Sequence, residues 1–237
     1  MTWSIVAHDP ASGAFAVSVT TANLAVGASC PFVRAGVGAV CTQSMTNRYL
    51  GPAVLDGLAR GLSPQQAITA ALAADEGRGI RQIHAVDRHG RTAAWTGQNC
   101  VDWAGDAPGE QVSFAGNMLA GPEVLPATAA AWDVSRPLPE RMMAALQAGQ
   151  AAGGDRRGRQ SAAMVLTTVE DFCDLDLRVD DHPMPLDELE RLVALWRSHR
   201  APGLQRSPRR ADPAGLIDLD VYEAEWRARG LDLRFRR

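Results

Sequence analysis

Segments with strand patterns and segments with helix patterns occur in separate blocks along this chain. In chain order, we predict strands at 3–8, 14–19 and 24–41, helices at 52–60 and 63–73, strands at 83–86, 91–96 and 111–115, helices at 122–132 and 138–148, strands at 162–169 and 175–179, and a helix at 185–199. Such segregation favours an α+β fold in which two antiparallel sheets pack together and helices cover them. A parallel-sheet fold built from β-α-β units is the less favoured alternative.

The chain is predicted to begin with a hairpin. Side chains alternate in size along 3–8 and 14–19, with Phe15, Val17 and Val19 on one face. Residues 9–13 (Asp-Pro-Ala-Ser-Gly) favour a turn, because proline presets φ and glycine tolerates a positive φ. The small apolar residues at 24–41 predict two further buried strands.

Two of the predicted helices carry recognisable end signals. Ser63 is expected to cap a helix, with Pro64 at its first position and glutamine at the capping-box site. Residues 185–199 place apolar side chains on one stripe, acids early and arginines late, as in an amphipathic helix. Beyond residue 200 the chain is rich in proline, arginine and glycine. We therefore predict one domain at 1–200 and a peripheral arm at 201–237, with a short helix near 221–229.

Composition and charge argue against several classes of partner. A net charge of −3 gives no reason to expect nucleic acid or an anionic membrane surface. No run reaches the roughly 18 apolar residues of a membrane helix, and the start lacks the pattern of a secretory signal. We expect a cytoplasmic protein whose four cysteines are reduced. The five histidines lack metal-ligand spacing, so neither a metal nor another cofactor is expected.

All 24 basic residues are arginines, since the sequence contains no lysine. Arginine stays protonated and serves neither as a Schiff-base amine nor as a general base. This excludes pyridoxal-phosphate chemistry, lysine aldolases, P-loop phosphate transfer and Ser-Lys hydrolysis. Any primary amine that takes part in chemistry here is therefore the α-amine of the chain.

Thr2 is the candidate nucleophile. Methionine aminopeptidases cleave before small residues, so the mature chain is expected to begin at Thr2. A free N-terminal threonine combines an attacking hydroxyl with an α-amine base, whose pKa is ordinarily about 7.7–8.0. The strand that follows would hold both groups rigidly. The alternative is that many chains begin Met-Thr without any catalytic role.

Four blocks of the sequence resemble a prokaryotic protein family. They are residues 2–7 (TWSIVA), 35–43 (AGVGAVCTQ), 116–124 (GNMLAGPEV) and 153–162 (GGDRRGRQSA). The family is catalogued as domain of unknown function 1028 and is placed among the Ntn-hydrolase-like (N-terminal-nucleophile) proteins. The likeness spans about residues 2–182. It implies a four-layer αββα sandwich and does not imply a substrate.

The resemblance also suggests roles for Arg34 and Asn117. In proteasome-like peptidases of the wider superfamily, a lysine on a neighbouring strand tunes the nucleophile, and Arg34 lies about as far along this chain. Arg34 would lower the pKa of the α-amine through its charge, or else form a surface ion pair. Asn117, at a strand-to-helix turn, would offer an N–H to an oxyanion, or else stabilise the turn.

Two loops supply the candidates for substrate binding. Gln43, Ser44 and Asn47 follow a buried strand and are predicted to line a polar pocket, with loop capping as the alternative. The glycine-rich segment 153–161 carries Asp155 and Arg159. An arginine there would bind a substrate carboxylate in a bidentate manner, whereas Asp155 would alternatively pair with its neighbours and shape the loop.

Together these features predict an N-terminal-threonine amidohydrolase. The expected substrate is a linear or cyclic amide of a small metabolite or a peptide-like compound, cleaved through an acyl-ester on Thr2. A homodimer is expected, because symmetric homo-oligomers are common. The alternatives are a non-catalytic small-molecule binder with the same fold and a structural subunit of a larger ring.

Overall fold

The first strand begins at Thr2 and forms the predicted hairpin. Strand β1 (Thr2–Asp9) pairs antiparallel with β2 (Ala14–Thr21), so that Thr2 lies opposite Thr21. Gly13 has a φ of 72° in the turn, a conformation that glycine adopts without steric strain.

A computed structural model of the chain describes residues 2–232. Within them, the strands after the hairpin are β3 (Pro31–Arg34), β4 (Gly38–Ser44), β5 (Arg81–Asp87), β6 (Thr92–Thr96), β7 (Gly105–Pro108), β8 (Val112–Asn117), β9 (Ser161–Thr167) and β10 (Leu175–Val179). The α-helices are α1 (Leu50–Ala59), α2 (Pro64–Leu72), α3 (Val124–Ala130), α4 (Leu138–Ala151), α5 (Pro185–Leu195), α6 (Ala201–Leu204) and α7 (Leu219–Ala228). Short 3-10 helices lie at Val26–Ala28 and Arg78–Ile80, and a π-helical turn lies at Trp196–Arg200.

Strand β1 is a central strand of the larger of two sheets. The six-stranded sheet has the order β10-β9-β2-β1-β8-β7, and the four-stranded sheet has the order β3-β4-β5-β6. Neighbouring strands are antiparallel throughout both sheets, as predicted. Because β2 and β8 flank β1, the last residues of these two strands lie beside the first residue of β1.

Three separate apolar clusters divide the sheets and helices into four layers. One cluster joins the six-stranded sheet to α3, α4 and α5 and includes Ile5 and Met142. A second lies between the two sheets and includes Val17 and Cys41. The third joins the four-stranded sheet to α1 and α2 and includes Ile68. The αββα sandwich is therefore confirmed.

The segment 24–30 differs from the prediction. It was expected to form a strand, but it forms a turn and a 3-10 helix, and β3 begins only at Pro31. Ala25 has a φ of 54°, outside the strand region. Strand β7 was not predicted, because Gly-Asp-Ala-Pro has turn composition and becomes a strand by pairing with β8.

The predicted capping box of α2 is confirmed. Ser63 Oγ accepts a hydrogen bond from the N–H of Gln66 at 3.3 Å, and Gln66 Oε1 accepts from the N–H of Ser63 at 2.9 Å. Two N–H groups that the helix itself leaves unpaired are thereby satisfied.

Replacing Ser63 with alanine should lower the free energy of unfolding by about 1 kcal/mol, because the N-cap acceptor is lost. Urea denaturation measures the change. Ser63→Thr keeps the hydroxyl and is the matched control. Equal midpoints for the alanine and threonine variants would contradict the capping role.

The chain divides into two compact units, Met1–Trp196 and Arg197–Arg237. The second unit contains α6, α7 and an ion pair between Arg206 and Glu225. The described part of the predicted arm, residues 201–232, lies within it. None of the helices in residues 2–232 is long and apolar enough to cross a membrane.

Candidate active site

The space between the two sheets is apolar in its middle and polar at one end. Val6 and Val19 belong to the apolar cluster between the sheets. Side chains two residues apart on a strand share a face. Thr2 and Ser4 therefore face the same space as Val6, and Thr21 faces it beside Val19.

Two rows of polar side chains oppose each other at this end. In the six-stranded sheet, the strand register aligns Ser161, Thr21, Thr2 and Asn117. In the four-stranded sheet, the register aligns Gln43, Gln82 and Thr96. All of them except Thr96 are buried. Hydrogen bonds among these groups are therefore formed largely away from water, where they are electrostatically stronger.

Thr2 is held through both its hydroxyl and its backbone. Only 6% of its surface is exposed. Thr2 Oγ1 donates a hydrogen bond to Thr21 Oγ1 at 3.2 Å. The carbonyl oxygen of Thr2 accepts from Asn117 Nδ2 at 3.4 Å and from Gln43 Nε2 at 3.5 Å. The structure thus brings together three of the predicted site residues, Thr2, Asn117 and Gln43.

Gln82 joins the two rows. Its Oε1 accepts from Gln43 Nε2 at 2.8 Å and from Asn117 Nδ2 at 2.9 Å. Its Nε2 donates to the carbonyls of Gly105 at 3.0 Å and Gly116 at 2.8 Å. Because a backbone carbonyl can only accept, these two carbonyls determine which end of the Gln82 amide is the nitrogen. The amides of Gln43 and Asn117 consequently present their NH₂ groups to Gln82.

A second polar layer lies beneath the first. Ser4 Oγ donates to Gln43 Oε1 at 2.8 Å and lies 2.8 Å from His84 Nε2. His84 Nδ1 lies 3.1 Å from Ser113 Oγ. Burial lowers the pKa of His84 to about 3, although a hydrogen bond to the backbone of Ser113 opposes this shift. The ring is therefore neutral at physiological pH.

Because His84 is buried as a neutral ring, the protein should lose stability as the pH falls below 6.5. The unfolded chain protonates this histidine near pH 6.5 and the folded chain only near pH 3, so acid favours unfolding within that window. Between about pH 7.5 and pH 5, His84 should lower the free energy of unfolding by about 2 kcal/mol. Urea unfolding of the protein and of His84→Gln at both pH values measures this. Equal pH dependence in the two proteins would contradict the prediction.

The cysteines beside this space are not candidate nucleophiles. Cys30 and Cys41 are buried, and desolvation raises the pKa of both thiols, that of Cys41 well above its ordinary value. A thiol reacts as its thiolate, which burial disfavours here. Across residues 2–232, no three His, Cys, Asp or Glu side chains form a group that could hold a metal ion.

Asp155 is buried and binds neighbouring loops. Its carboxylate accepts from the N–H of Ala22 and the N–H of Arg157, both at 2.8 Å, and pairs with the Arg157 guanidinium at 3.3 Å. Leu119 forms an isolated β-bridge with Asp155. These contacts tie the segments after β2 and β8 to the glycine-rich loop. They match the alternative in which Asp155 shapes that loop, and a contact with substrate stays a prediction.

Ser44 and Asn47 follow Gln43 along the chain, and the two side chains lie in different surroundings. Ser44 ends β4 next to Gln43, with a φ of 70°. Asn47 caps its own loop: its Nδ2 donates to Asp75 at 2.9 Å, and its Oδ1 accepts from the N–H of Tyr49 at 3.1 Å. The side chain of Asn47 therefore has the loop-capping contacts that were considered as its alternative role.

The structure does not bring Arg34 to Thr2. Arg34 ends β3, pairs with Asp56 of α1 at 2.9 Å, and has 41% of its side chain exposed. In the sheet, Arg34 lies opposite Gly38 of β4. Gly38 is five residues from Gln43, so about 16 Å of strand separate Arg34 from the end of β4 that contacts Thr2. At such a distance an exposed charge is largely screened. The contacts of Arg34 are those of a surface ion pair, and they give it no means of lowering the pKa of the α-amine of Thr2.

Arg159 lies on the surface. Its Nη1 is 3.2 Å from Met184 Sδ. The next residue, Gln160, donates its N–H to the carbonyl of Thr21 at 3.0 Å, so the chain at Arg159 runs beside the end of β2. Binding of a substrate carboxylate by Arg159 stays a prediction.

Sequence reasoning missed Gln82, His84, Ser4 and Ser113. Gln82 and His84 alternate with apolar residues on β5, and both face the other sheet. Polar residues two apart within a fully buried strand were the signal that could have found them, since a buried polar side chain needs a partner.

A family model described as "Family of unknown function (DUF1028)" matches residues 2–189. The chain belongs to this family. The resemblance seen in the four sequence blocks is thereby confirmed at the level of the family.

Two solved structures are similar to this DUF1028 member. The crystal structure of protein SPO2555 from Silicibacter pomeroyi, also described with the DUF1028 family model, is 32% identical in sequence. The match covers 92% of this chain and 96% of that one, with a TM-score of 0.84. Anbu (ancestral beta-subunit) from Yersinia bercovieri is 11% identical over 83% of this chain and 97% of that chain, with a TM-score of 0.40. No curated protein matches the chain.

Proposed function

We propose that this chain is an N-terminal-nucleophile amide hydrolase in which Thr2 is the nucleophile once Met1 has been removed. The proposal is carried by the position of Thr2, which begins a central strand at the polar end of the space between the sheets. The αββα sandwich supports it, because this is the fold of the Ntn-hydrolase-like proteins that the sequence resembles. Met1 itself lies outside the described residues.

In the proposed reaction, Thr2 alone moves the protons. Its α-amine accepts the hydroxyl proton while Oγ1 attacks the carbonyl carbon of the substrate amide. The amine then passes the proton to the departing nitrogen as the C–N bond breaks, which leaves an acyl-ester on Thr2. Water, deprotonated by the same amine, hydrolyses this ester and releases the acid and the free hydroxyl.

Asn117 and Gln43 are the proposed donors to the oxyanion. Each amide nitrogen makes a shorter hydrogen bond to Gln82 and a longer one, at 3.4 and 3.5 Å, to the carbonyl of Thr2. The longer bonds are weak by the usual criteria, so one N–H of each amide remains available beside Thr2. One such donor contributes about 2.7–4 kcal/mol of transition-state stabilisation in comparable sites.

The proposed substrate is an amide of a small metabolite or a peptide-like compound, with a carboxylate that Arg159 would bind. The proposal includes a cytoplasmic homodimer with neither a nucleic acid nor a membrane as partner. It requires no cofactor, because nucleophile and base belong to one residue.

Mass spectrometry after incubation with N-acyl amino acids, N-carbamoyl compounds and dipeptides tests the proposal. The expected result is a first peptide that begins at Thr2 and carries an acyl adduct. Retention of Met1 would contradict the proposal. Compounds that raise the melting temperature without turnover or adduct would favour the non-catalytic binder.

A further inference from the structure

In the hydrogen-bond network beneath Thr2, each group can be assigned as donor or acceptor. The carbonyls of Gly105 and Gly116 can only accept, so they orient the amide of Gln82. Gln82 Oε1 then requires Gln43 to donate through its Nε2. The remaining end of that amide, Gln43 Oε1, faces Ser4 Oγ at 2.8 Å. Ser4 must therefore give its single hydroxyl hydrogen to Gln43.

The direction of the hydrogen bond from Ser4 to Gln43 also determines the tautomer of His84. Because the hydrogen of Ser4 points to Gln43, Ser4 Oγ can only accept from His84 Nε2, which lies 2.8 Å away. His84 Nε2 therefore carries a hydrogen. In a neutral ring Nδ1 then carries none, and it must accept from Ser113 Oγ at 3.1 Å.

We propose that His84 is a positioning residue that, as its Nε2–H tautomer, holds Ser4 and thereby keeps the amide N–H groups of Gln43 directed at Thr2. In the other tautomer, a bare Nε2 would compete with Gln43 Oε1 for the hydrogen of Ser4. Gln43 Oε1 would be left with the weak donor Cys41 Sγ at 3.6 Å. The amide of Gln43 would then lose one of the two short contacts that orient it and keep only the one to Gln82 Oε1. This inference deepens the proposed function, and its catalytic consequence depends on that function.

Ser113 reinforces the tautomer that Ser4 requires. Its hydroxyl can donate to His84 Nδ1, which favours the Nε2–H form. The backbone of Ser113 also favours a protonated ring, since it opposes the lowering of the pKa of His84, and a carbonyl accepts only from an Nδ1–H. Removing the hydroxyl takes away the donor to Nδ1. Ser113→Ala should therefore shift His84 towards the Nδ1–H tautomer, while Ser4 still favours the Nε2–H form.

Nitrogen NMR of the imidazole tests the tautomer without any substrate. We expect the Nε2–H form in the unaltered protein and a larger share of the Nδ1–H form in Ser113→Ala. Ser18→Ala is the matched control, because Ser18 is equally buried and its hydroxyl has no hydrogen-bond partner in the described part of the chain. An Nδ1–H tautomer in the unaltered protein, or the same share of the two tautomers in Ser113→Ala as in Ser18→Ala, would overturn the inference.

Acylation of Thr2 by 4-nitrophenyl acetate tests the consequence at the site. Oγ1 gives its proton to the α-amine and attacks the ester carbonyl, 4-nitrophenolate leaves, and the acetyl group stays on Thr2. We expect Ser113→Ala to slow this step about tenfold, with Ser18→Ala unaffected. Ser113 lies four residues from Asn117 on β8, so the slower step should appear in kcat and not in KM.

The two proposals fail in different ways. Equal acylation rates in Ser113→Ala and Ser18→Ala would overturn the positioning role of His84. Absence of any acylation of the unaltered protein would count against Thr2 as nucleophile, and the NMR experiment would still decide the tautomer.

Discussion

Replacing Thr2 with alanine is expected to lower kcat/KM by at least about 10³-fold, because the attacking oxygen of the proposed reaction is removed. The fold should survive, since the lost hydroxyl makes one long hydrogen bond, to Thr21 at 3.2 Å. A single neutral hydrogen bond contributes about 1 kcal/mol to stability. Initial rates on any amide that the protein cleaves, together with thermal melting, measure both quantities.

Two matched variants separate loss of the nucleophile from loss of a buried threonine. Thr2→Ser keeps a hydroxyl and an α-amine, and it should keep most of the activity. Thr20→Ala makes the same change on the neighbouring strand, where Thr20 Oγ1 donates to the carbonyl of Ser161 at 3.0 Å. It should lower stability by about 1 kcal/mol and leave the rate unchanged. Undiminished turnover in Thr2→Ala would refute the assignment of the nucleophile.

Local sequence patterns were sufficient for most of the fold. The alternation along the first two strands predicted the hairpin, and Ser63 predicted the start of α2 because both signals act within a few residues. Strand β7 shows where local patterns fail. Its residues have turn composition, and pairing with β8 makes them a strand. Such pairing joins segments that no local window contains.

From the sequence, only those site residues that lie at the ends of predicted strands could be identified. Thr2 begins β1 and Asn117 ends the neighbouring antiparallel strand β8, and the register places the two residues opposite each other. Arg34 also ends a strand, but β3 pairs with the beginning of β4 and so points away from that end. His84 was considered only for metal-ligand spacing, because its partner Ser4 belongs to the other sheet. Contacts between sheets depend on how the sheets pack, which no pattern within one strand specifies.

Replacing Gln82 with leucine is expected to lower the free energy of unfolding by about 3–5 kcal/mol, because several buried groups lose their partner together. The carbonyls of Gly105 and Gly116 lose a donor, and the amides of Gln43 and Asn117 lose their nearer acceptor. Each buried polar group left unsatisfied costs about 1–3 kcal/mol. Urea unfolding at neutral pH measures the loss.

Gln65→Leu is the matched control, because Gln65 lies exposed on α2 and its side chain donates, within residues 2–232, only to Thr69 Oγ1 at 3.3 Å. An exposed change of this kind should alter stability by less than about 0.5 kcal/mol. If Gln82→Leu were as mild as Gln65→Leu, the carbonyls of β7 and β8 would not be orienting the amides beside Thr2. Nothing would then require the Nε2–H tautomer of His84, because those two carbonyls orient Gln82 and, through it, Gln43 and Ser4. A large loss confined to Gln82→Leu would instead show that the groups around the proposed nucleophile are held as one network.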